Sequence, residues 1–112
     1  MFSRELTAAS TRPLVLGILA RGESYGYEII QQVKELSGGS IEWSEGVLYP
    51  VLHRLDRQQL VESFWRTSEQ GRRRKYYRLT AKGRRVLAAD REQWKTALAA
   101  LNQLWAPIPN LT

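Results

Sequence analysis

The chain has 112 residues and a formal charge of +6, with 43% hydrophobic and 25% charged residues. That size and balance fit one globular domain with a modest core, not a disordered segment. There is no cysteine and only one histidine, which excludes disulfides and thiolate metal sites and leaves no metal or cofactor to expect. No apolar run approaches the roughly 20 residues of a membrane span, and MFSRELTAAS is too polar for a secretory leader, so a cytoplasmic protein is expected.

Residues 1–9 read as frayed or loosely helical. Thr11 to Arg21 reads as a helix, with a start nearer Glu5 as the alternative. Leu14 and Ile18, widened by Val15 and Leu19, form its apolar face. Pro13 fits best in a first turn, where its missing N–H costs little; an earlier start would put a kink there. Gly22 is expected to close the helix in a left-handed conformation. Ser24 is expected to cap a second helix, Tyr25 to Ser37, with Ile29, Val33 and Leu36 on its apolar line and Ile30 beside them. Gly38-Gly39 stops that helix, and Ile41-Glu42-Trp43 alternates like a very short strand.

Ser44 to Gln59, SEGVLYPVLHRLDRQQ, is the stretch around which the chain is organised. At about 100° per residue, Leu48, Val51, Leu52 and Leu55 share the core face of a helix. Gly46, Pro50, His53 and Arg57 point the opposite way, flanked by Tyr49 and Arg54. Ser44 is its expected N-cap, and Pro50 predicts a local bend. The outer face lacks a Lys/Glu solvating pattern. Two slim residues would let the backbone approach a flat or grooved surface, with hydrogen-bond donors behind them.

Leu60 to Arg66 and Arg74 to Leu79 read as two strands joined by the polar turn TSEQG, a β-hairpin. Between Arg66 and Arg85 nine basic residues face a single acid, Glu69, a net +8; the remainder carries 8 basic and 10 acidic residues, a net −2. All the excess positive charge thus sits in one segment, the hairpin and the start of the helix that follows, the footprint of a polyanion partner, nucleic acid above all. Thr80 caps a long helix from Ala81 to about Trp105, ended by Pro107 and Pro109. Along it Leu87, Trp94 and Leu101 recur every seven residues, Ala97 and Leu104 take the companion position, and Leu98 and Trp105 broaden the stripe. A sustained heptad of this kind argues for a homodimer; Asp90 interrupts it.

Three helices, a hairpin and a final long helix make a mostly α chain with a small β-hairpin. This is the layout of a winged helix-turn-helix plus a long C-terminal dimerisation helix. The boundaries are 1–80 for the winged part, 81–106 for the helix and 107–112 for a tail. In this layout the third helix enters the major groove and the wing contacts flanking backbone. The candidate DNA-binding residues are Ser44, Gly46, Tyr49, Pro50, His53, Arg54 and Arg57 on the helix, and Arg72, Arg73, Arg74 and Lys75 on the wing.

The segments GYEI at 26–29, EGVLYPVLHRLDRQQLV at 45–61 and GRRRKYYRLTAKGRR at 71–85 resemble the PadR family of bacterial transcriptional regulators, over about Leu14 to Trp105. The single C-terminal helix is similar to the short subfamily. The resemblance implies a repressor that dimerises through its first and last helices and binds a pseudo-palindromic double-stranded DNA operator, often of its own gene or of detoxification and efflux genes. It matches Tyr49 and Pro50 to the reading helix and Arg73, Arg74 and Lys75 to the wing. The family's usual Gly-Gly before the wing basics is here Gly71-Arg72. It also implies that Trp94, with Asp90 and Leu98 near it, lines a dimer-interface site for a small aromatic ligand, with Asp90 favouring a cation. Trp94 as plain dimer core is the competing reading. So are a DNA-binding protein with no inducer and a winged-helix module that binds protein. No Ser/His/Asp or Cys/His set is available, so no enzyme is expected.

Overall fold

The computed structural model describes residues 2–106, so Pro107, Pro109 and the 107–112 tail fall outside it. Helix α1 runs Arg4–Ala20, capped by Ser3, whose hydroxyl accepts the Leu6 N–H. The chain is therefore helical well before Thr11, and Pro13 lies mid-helix rather than in a first turn. The carbonyl it cannot bond belongs to Ala9, on an exposed stretch where water can solvate it. Arg21, in right-handed conformation, closes α1; Gly22 follows at φ +152°, outside the left-handed well expected for it.

Ser24 does not cap a helix. Ser24–Tyr25 is a short strand, β1, and the Ser24 hydroxyl donates to Glu28 Oε1 at 2.5 Å. Helix α2 then spans Gly26–Leu36, with Ile29 and Val33 buried; Leu36, expected on the same line, is 60% exposed. Ile41 and Trp43 are buried and Glu42 is exposed, as their alternation suggested, but with no partner strand they form no strand.

Helix α3, Glu45–Arg57, follows the expected pattern: Ser44 accepts the Val47 N–H, and Leu48, Val51, Leu52 and Leu55 are buried. It continues through Pro50. It ends where Gln59 takes the left-handed conformation at φ +62°, with Leu60 N–H donating to the Leu55 carbonyl and Gln59 N–H to that of Asp56. This is a Schellman-type end with glutamine where glycine is usual.

Strands β2 (Val61–Thr67) and β3 (Arg73–Leu79) form the hairpin, and β1 adds to the other edge of β3, giving the antiparallel order β1-β3-β2. Gly71 turns the tip at φ +79°, and Ser68 anchors it by accepting the Arg72 and Gly71 N–H groups. Helix α4, Ala81–Trp105, starts from Thr80, whose hydroxyl accepts the Gly83 N–H. Its first turn is pressed onto the hairpin base: a Cβ at Gly83 would lie 2.0 Å from the Leu60 carbonyl oxygen.

One core holds α1, α2, α3 and the hairpin base, including Val15, Leu16, Ile29, Leu48, Leu52, Val61 and Tyr77. Val86 and Leu87 pack against it, so Leu87 serves its own chain's core and the exposed heptad begins below it. A 25-residue helix is about 38 Å long, and the molecule measures 56 × 28 × 21 Å. The distal half of α4 therefore projects from the body.

Candidate nucleic-acid interface

The α3 sequence divides as a helix buried on one side must. Gly46, Pro50, His53 and Arg57 are all exposed, opposite the four buried aliphatics. Tyr49 leans away from that stripe toward α2 and is half-buried. A Cβ at Gly26 would lie 2.6 Å from its hydroxyl oxygen, so glycine at the start of α2 is what admits the phenol. The Ser44 hydroxyl is spent on the helix cap at 3.3 Å from the Val47 nitrogen.

Between the N-terminal ends of α2 and α3 and the distal hairpin lies an open cleft of about 650 Å³. Tyr25, Gly26 and Tyr27 line one end, Glu45 and Tyr49 come from α3, and Trp65 and Arg72 to Lys75 form the wing side. Of the residues singled out in the sequence, the cleft brings Tyr49 together with the four wing cations; Ser44, Gly46, Pro50, His53 and Arg57 do not line it.

Not all the wing's charge is free. Arg66 donates to Glu23 at 2.6 Å, and Arg78 pairs with Glu62 at 2.7 Å and Glu23 at 3.8 Å. Among the described residues, Arg72, Arg73, Arg74 and Lys75 enter no ion pair with an acid. Three of these lie over aromatic faces instead: Arg73 4.7 Å from the Trp65 ring centre, Arg74 4.5 Å from that of Tyr25 and Lys75 5.9 Å from that of Tyr77. Such contacts order a long side chain without neutralising it. On the outer sheet face Tyr25, Tyr76 and Phe64 sit in one cross-strand row, with Arg66 and Arg78 over its rings. The Tyr77 phenol is buried between sheet and core. Burial pushes its pKa up, and the nearby Tyr49 and Asp56 add to the effect.

Arg54 is exposed and, like His53 and Arg57, does not line this cleft. With Leu55 and Gln58 it lines a second cavity, about 380 Å³, whose other walls are Arg12 and Pro13 of α1 and Asp90, Gln93 and Trp94 of α4. There the Asp90 carboxylate, 7% exposed, accepts two bonds from the Arg12 guanidinium, 2.6 Å from one terminal nitrogen and 2.9 Å from Nε. This hydrogen bonding, opposed by partial burial and aided by the charge of Asp90, raises the Arg12 pKa above its ordinary value. Asp90 is thus already paired within the chain and offers no free carboxylate to a cationic ligand. Trp94 is half-buried and also borders an apolar hollow with Ser10, Pro13 and Leu14; Leu98 is 47% exposed.

Tyr25, Tyr27 and Trp65 were missed in the sequence. The signal for Trp65 was an indole on a strand face that should point toward α3. For Tyr25 and Tyr27 nothing local gave notice, because β1 is defined only by its pairing with β3, some fifty residues later.

Three helices, a hairpin with a third short strand, and a free basic wing beside the start of α3 define a winged helix-turn-helix of the nucleic-acid-binding kind. Residues 15–89 match the model of the transcriptional regulator PadR-like family, and the chain belongs to that family. It is 40% identical over 88 residues to the transcriptional regulator Rv3488 of Mycobacterium tuberculosis, covering 79% of this chain and 78% of that one. It is 39% identical over 82 residues to the transcriptional regulator YqjI of Escherichia coli, covering 73% of this chain but only 38% of that longer protein. Among solved structures, a PadR-like transcriptional regulator from Bacillus cereus superposes with a TM-score of 0.81 at 29% identity, covering 89% and 95% of the two chains. A transcriptional regulator from Clostridium thermocellum gives 0.81's near equal, 0.83, at 26% identity over 94% and 99%. Members of the family are transcriptional regulators, not enzymes. Among the described residues no helix is long and apolar enough to cross a membrane.

Proposed function

We propose that the chain is a homodimeric transcriptional repressor that binds a pseudo-palindromic operator. In this reading the outer face of α3 (Gly46, Pro50, His53, Arg57) lies in the major groove. Tyr49 and the Arg72 to Lys75 run lie against the flanking DNA, where the wing charge neutralises phosphates. The observation that carries it is the cleft joining the start of α3 to four wing cations without an acidic partner among the described residues. The dimer reading is supported by the projecting half of α4, where Leu98, Leu101, Leu104 and Trp105 are 47%, 36%, 66% and 48% exposed along one stripe. Two paired chains would set their reading helices about one DNA turn apart.

A small flat aromatic ligand at Trp94 relieves repression by changing how the two α4 helices cross. It is supported by the partly open indole at the boundary between the packed and projecting halves of α4. Because Asp90 is paired to Arg12, that ligand needs no positive charge.

The test is binding to duplexes of the gene's own promoter and of random sequence across a salt series. Replacing Arg73, Arg74 and Lys75 with Ala should weaken binding to both, and reduce the log–log salt slope by about 0.9 per lost phosphate contact. His53→Ala or Arg57→Ala should cost about 1–3 kcal/mol more on the promoter than on random DNA if either residue reaches a base edge. An unchanged slope in the folded triple variant removes the wing from the interface.

A further inference from the structure

We propose that Trp65 is a positioning residue for DNA recognition: its indole holds the Arg73 guanidinium so that the wing discriminates in favour of narrow, A·T-rich minor grooves beside the half-site. This rests on the duplex-binding reading above. Trp65 is 57% exposed, so it adds little to the core, and its ring carries Arg73 at 4.7 Å. Trp65 pairs with Lys75 and Thr67 with Arg73, which makes Trp65 and Arg73 diagonal neighbours on one sheet face. Farther down, that same face buries Val61 and Tyr77; at this level it opens into the cleft opposite Tyr49.

The placement decides what the pair meets. With α3 in a major groove, the cleft between α3 and the hairpin must straddle the sugar–phosphate ridge. On the far side of that ridge is the minor groove, and the wing tip with Arg72 and Arg73 lies on that side. The minor groove distinguishes bases poorly, but its width varies with sequence, and narrow A·T-rich segments concentrate the negative potential that attracts arginine. A free arginine side chain loses conformational entropy on entering such a groove. A guanidinium already stacked on an indole has less freedom to lose, and its edge N–H groups remain available. The charge of Arg73 thus supplies affinity for any duplex, while the indole under it supplies the preference for shape.

These two contributions separate experimentally. The duplex that the wild-type protein enriches from a random pool is prepared with A·T-rich and with G·C-rich flanks, and binding is followed by fluorescence anisotropy. Trp65→Ala should shrink the wild-type preference for A·T-rich flanks by about 2- to 5-fold. It should leave the salt slope unchanged, because the charge remains. Trp65→Phe should restore most of the preference, and Arg73→Ala should lose both the preference and about 0.9 of the slope. Full flank preference in Trp65→Ala, a loss that Phe does not rescue, or a wild-type protein indifferent to its flanks overturns the proposal. A wild-type protein that binds no duplex at all overturns the DNA-binding reading itself, and this proposal with it.

Discussion

The Arg12–Asp90 pair joins residues 78 positions apart and gives the sharpest stability prediction. Removing one partner of a buried ion pair costs about 3–5 kcal/mol, because the other charge is left desolvated. Here Asp90 is 7% exposed but Arg12 is 48% exposed, so half of the guanidinium stays in water and the pair is partly screened. We therefore expect Arg12→Ala to cost about 2 kcal/mol, or roughly 8 °C in Tm for a chain of this size. Asp90→Ala should cost a similar amount, and the double-mutant cycle should return a coupling of about 1.5 kcal/mol. The paired replacement Arg12→Met with Asp90→Leu should lie close to wild type, since apolar groups of similar volume can stand in for a buried pair. The raised Arg12 pKa fixes the sign of the pH dependence. Its stabilisation is fully present below the unfolded-state value and fades only as pH rises through the still higher folded value, so it should not vary across the neutral range. The assay is urea unfolding at one fixed protomer concentration, because association would shift the apparent stability. Strictly additive single-mutant effects would refute the reasoning, by showing that the two groups do not act as a pair in solution.

Gly83→Ala gains about 1 kcal/mol of helix propensity but puts a methyl 2.0 Å from the Leu60 carbonyl oxygen. A net loss of at least about 2 kcal/mol is expected in thermal unfolding, and a neutral variant would mean that α4 sits farther from the hairpin base. Gln59→Gly should instead stabilise by about 0.5–1 kcal/mol, the left-handed strain relieved less glycine's greater unfolded-state entropy; circular-dichroism melts that show a loss would contradict the Schellman-type end. If the α4 stripe holds two chains together, Leu101→Gln with Leu104→Gln exposes four polar groups in the seam. At roughly 1–1.5 kcal/mol each, Kd for the dimer should rise about 10³- to 10⁴-fold. Sedimentation showing an unweakened dimer would place the interface elsewhere.

Features whose cause is local were legible in the sequence. Helix α3 could be read because Leu48, Val51, Leu52 and Leu55 keep the helical period and Ser44 stands one residue before the first helical position. The hairpin was legible from strand-forming residues on either side of a polar turn, with its charge concentrated on the return strand. What escaped depended on distant neighbours. Two residues cannot announce themselves as a strand, and Ser24–Tyr25 is one only because Tyr76 and Tyr77 lie alongside. Asp90 looked like a free acid in an apolar stripe until α1 brought Arg12 to it. Arg54 and Arg57 are alike in chemistry and three residues apart. Helical period put Arg57 on the outer face and Arg54 at its flank, but it could not show that α1 and α4 would build a cavity beside Arg54.

That cavity also marks the boundary at which the molecule changes mechanical character. At its C-terminal end α3 is fastened to the start of α4 by several contacts. Lys82 Nζ donates to the Gln58 carbonyl at 3.0 Å, the Thr80 hydroxyl donates to those of Gln59 and Leu60 at 2.7 and 3.0 Å, and Gly83 lies against Leu60. Two turns on, Asp90 ties α4 to α1. Beyond Asp90 only Trp94 is partly buried, and the remaining described residues of α4 are exposed. The C-terminal end of α3 and the start of α4 are therefore tied directly to each other. In a dimer built on the projecting half, the distance between two reading helices would follow from how those projecting halves cross. A ligand can shift that distance only through a difference in affinity between two crossings. Trp94 stands where the clamped half of α4 gives way to the exposed half, so in such a dimer a ligand bound there would act on the crossing and through it on the spacing of the two α3 helices.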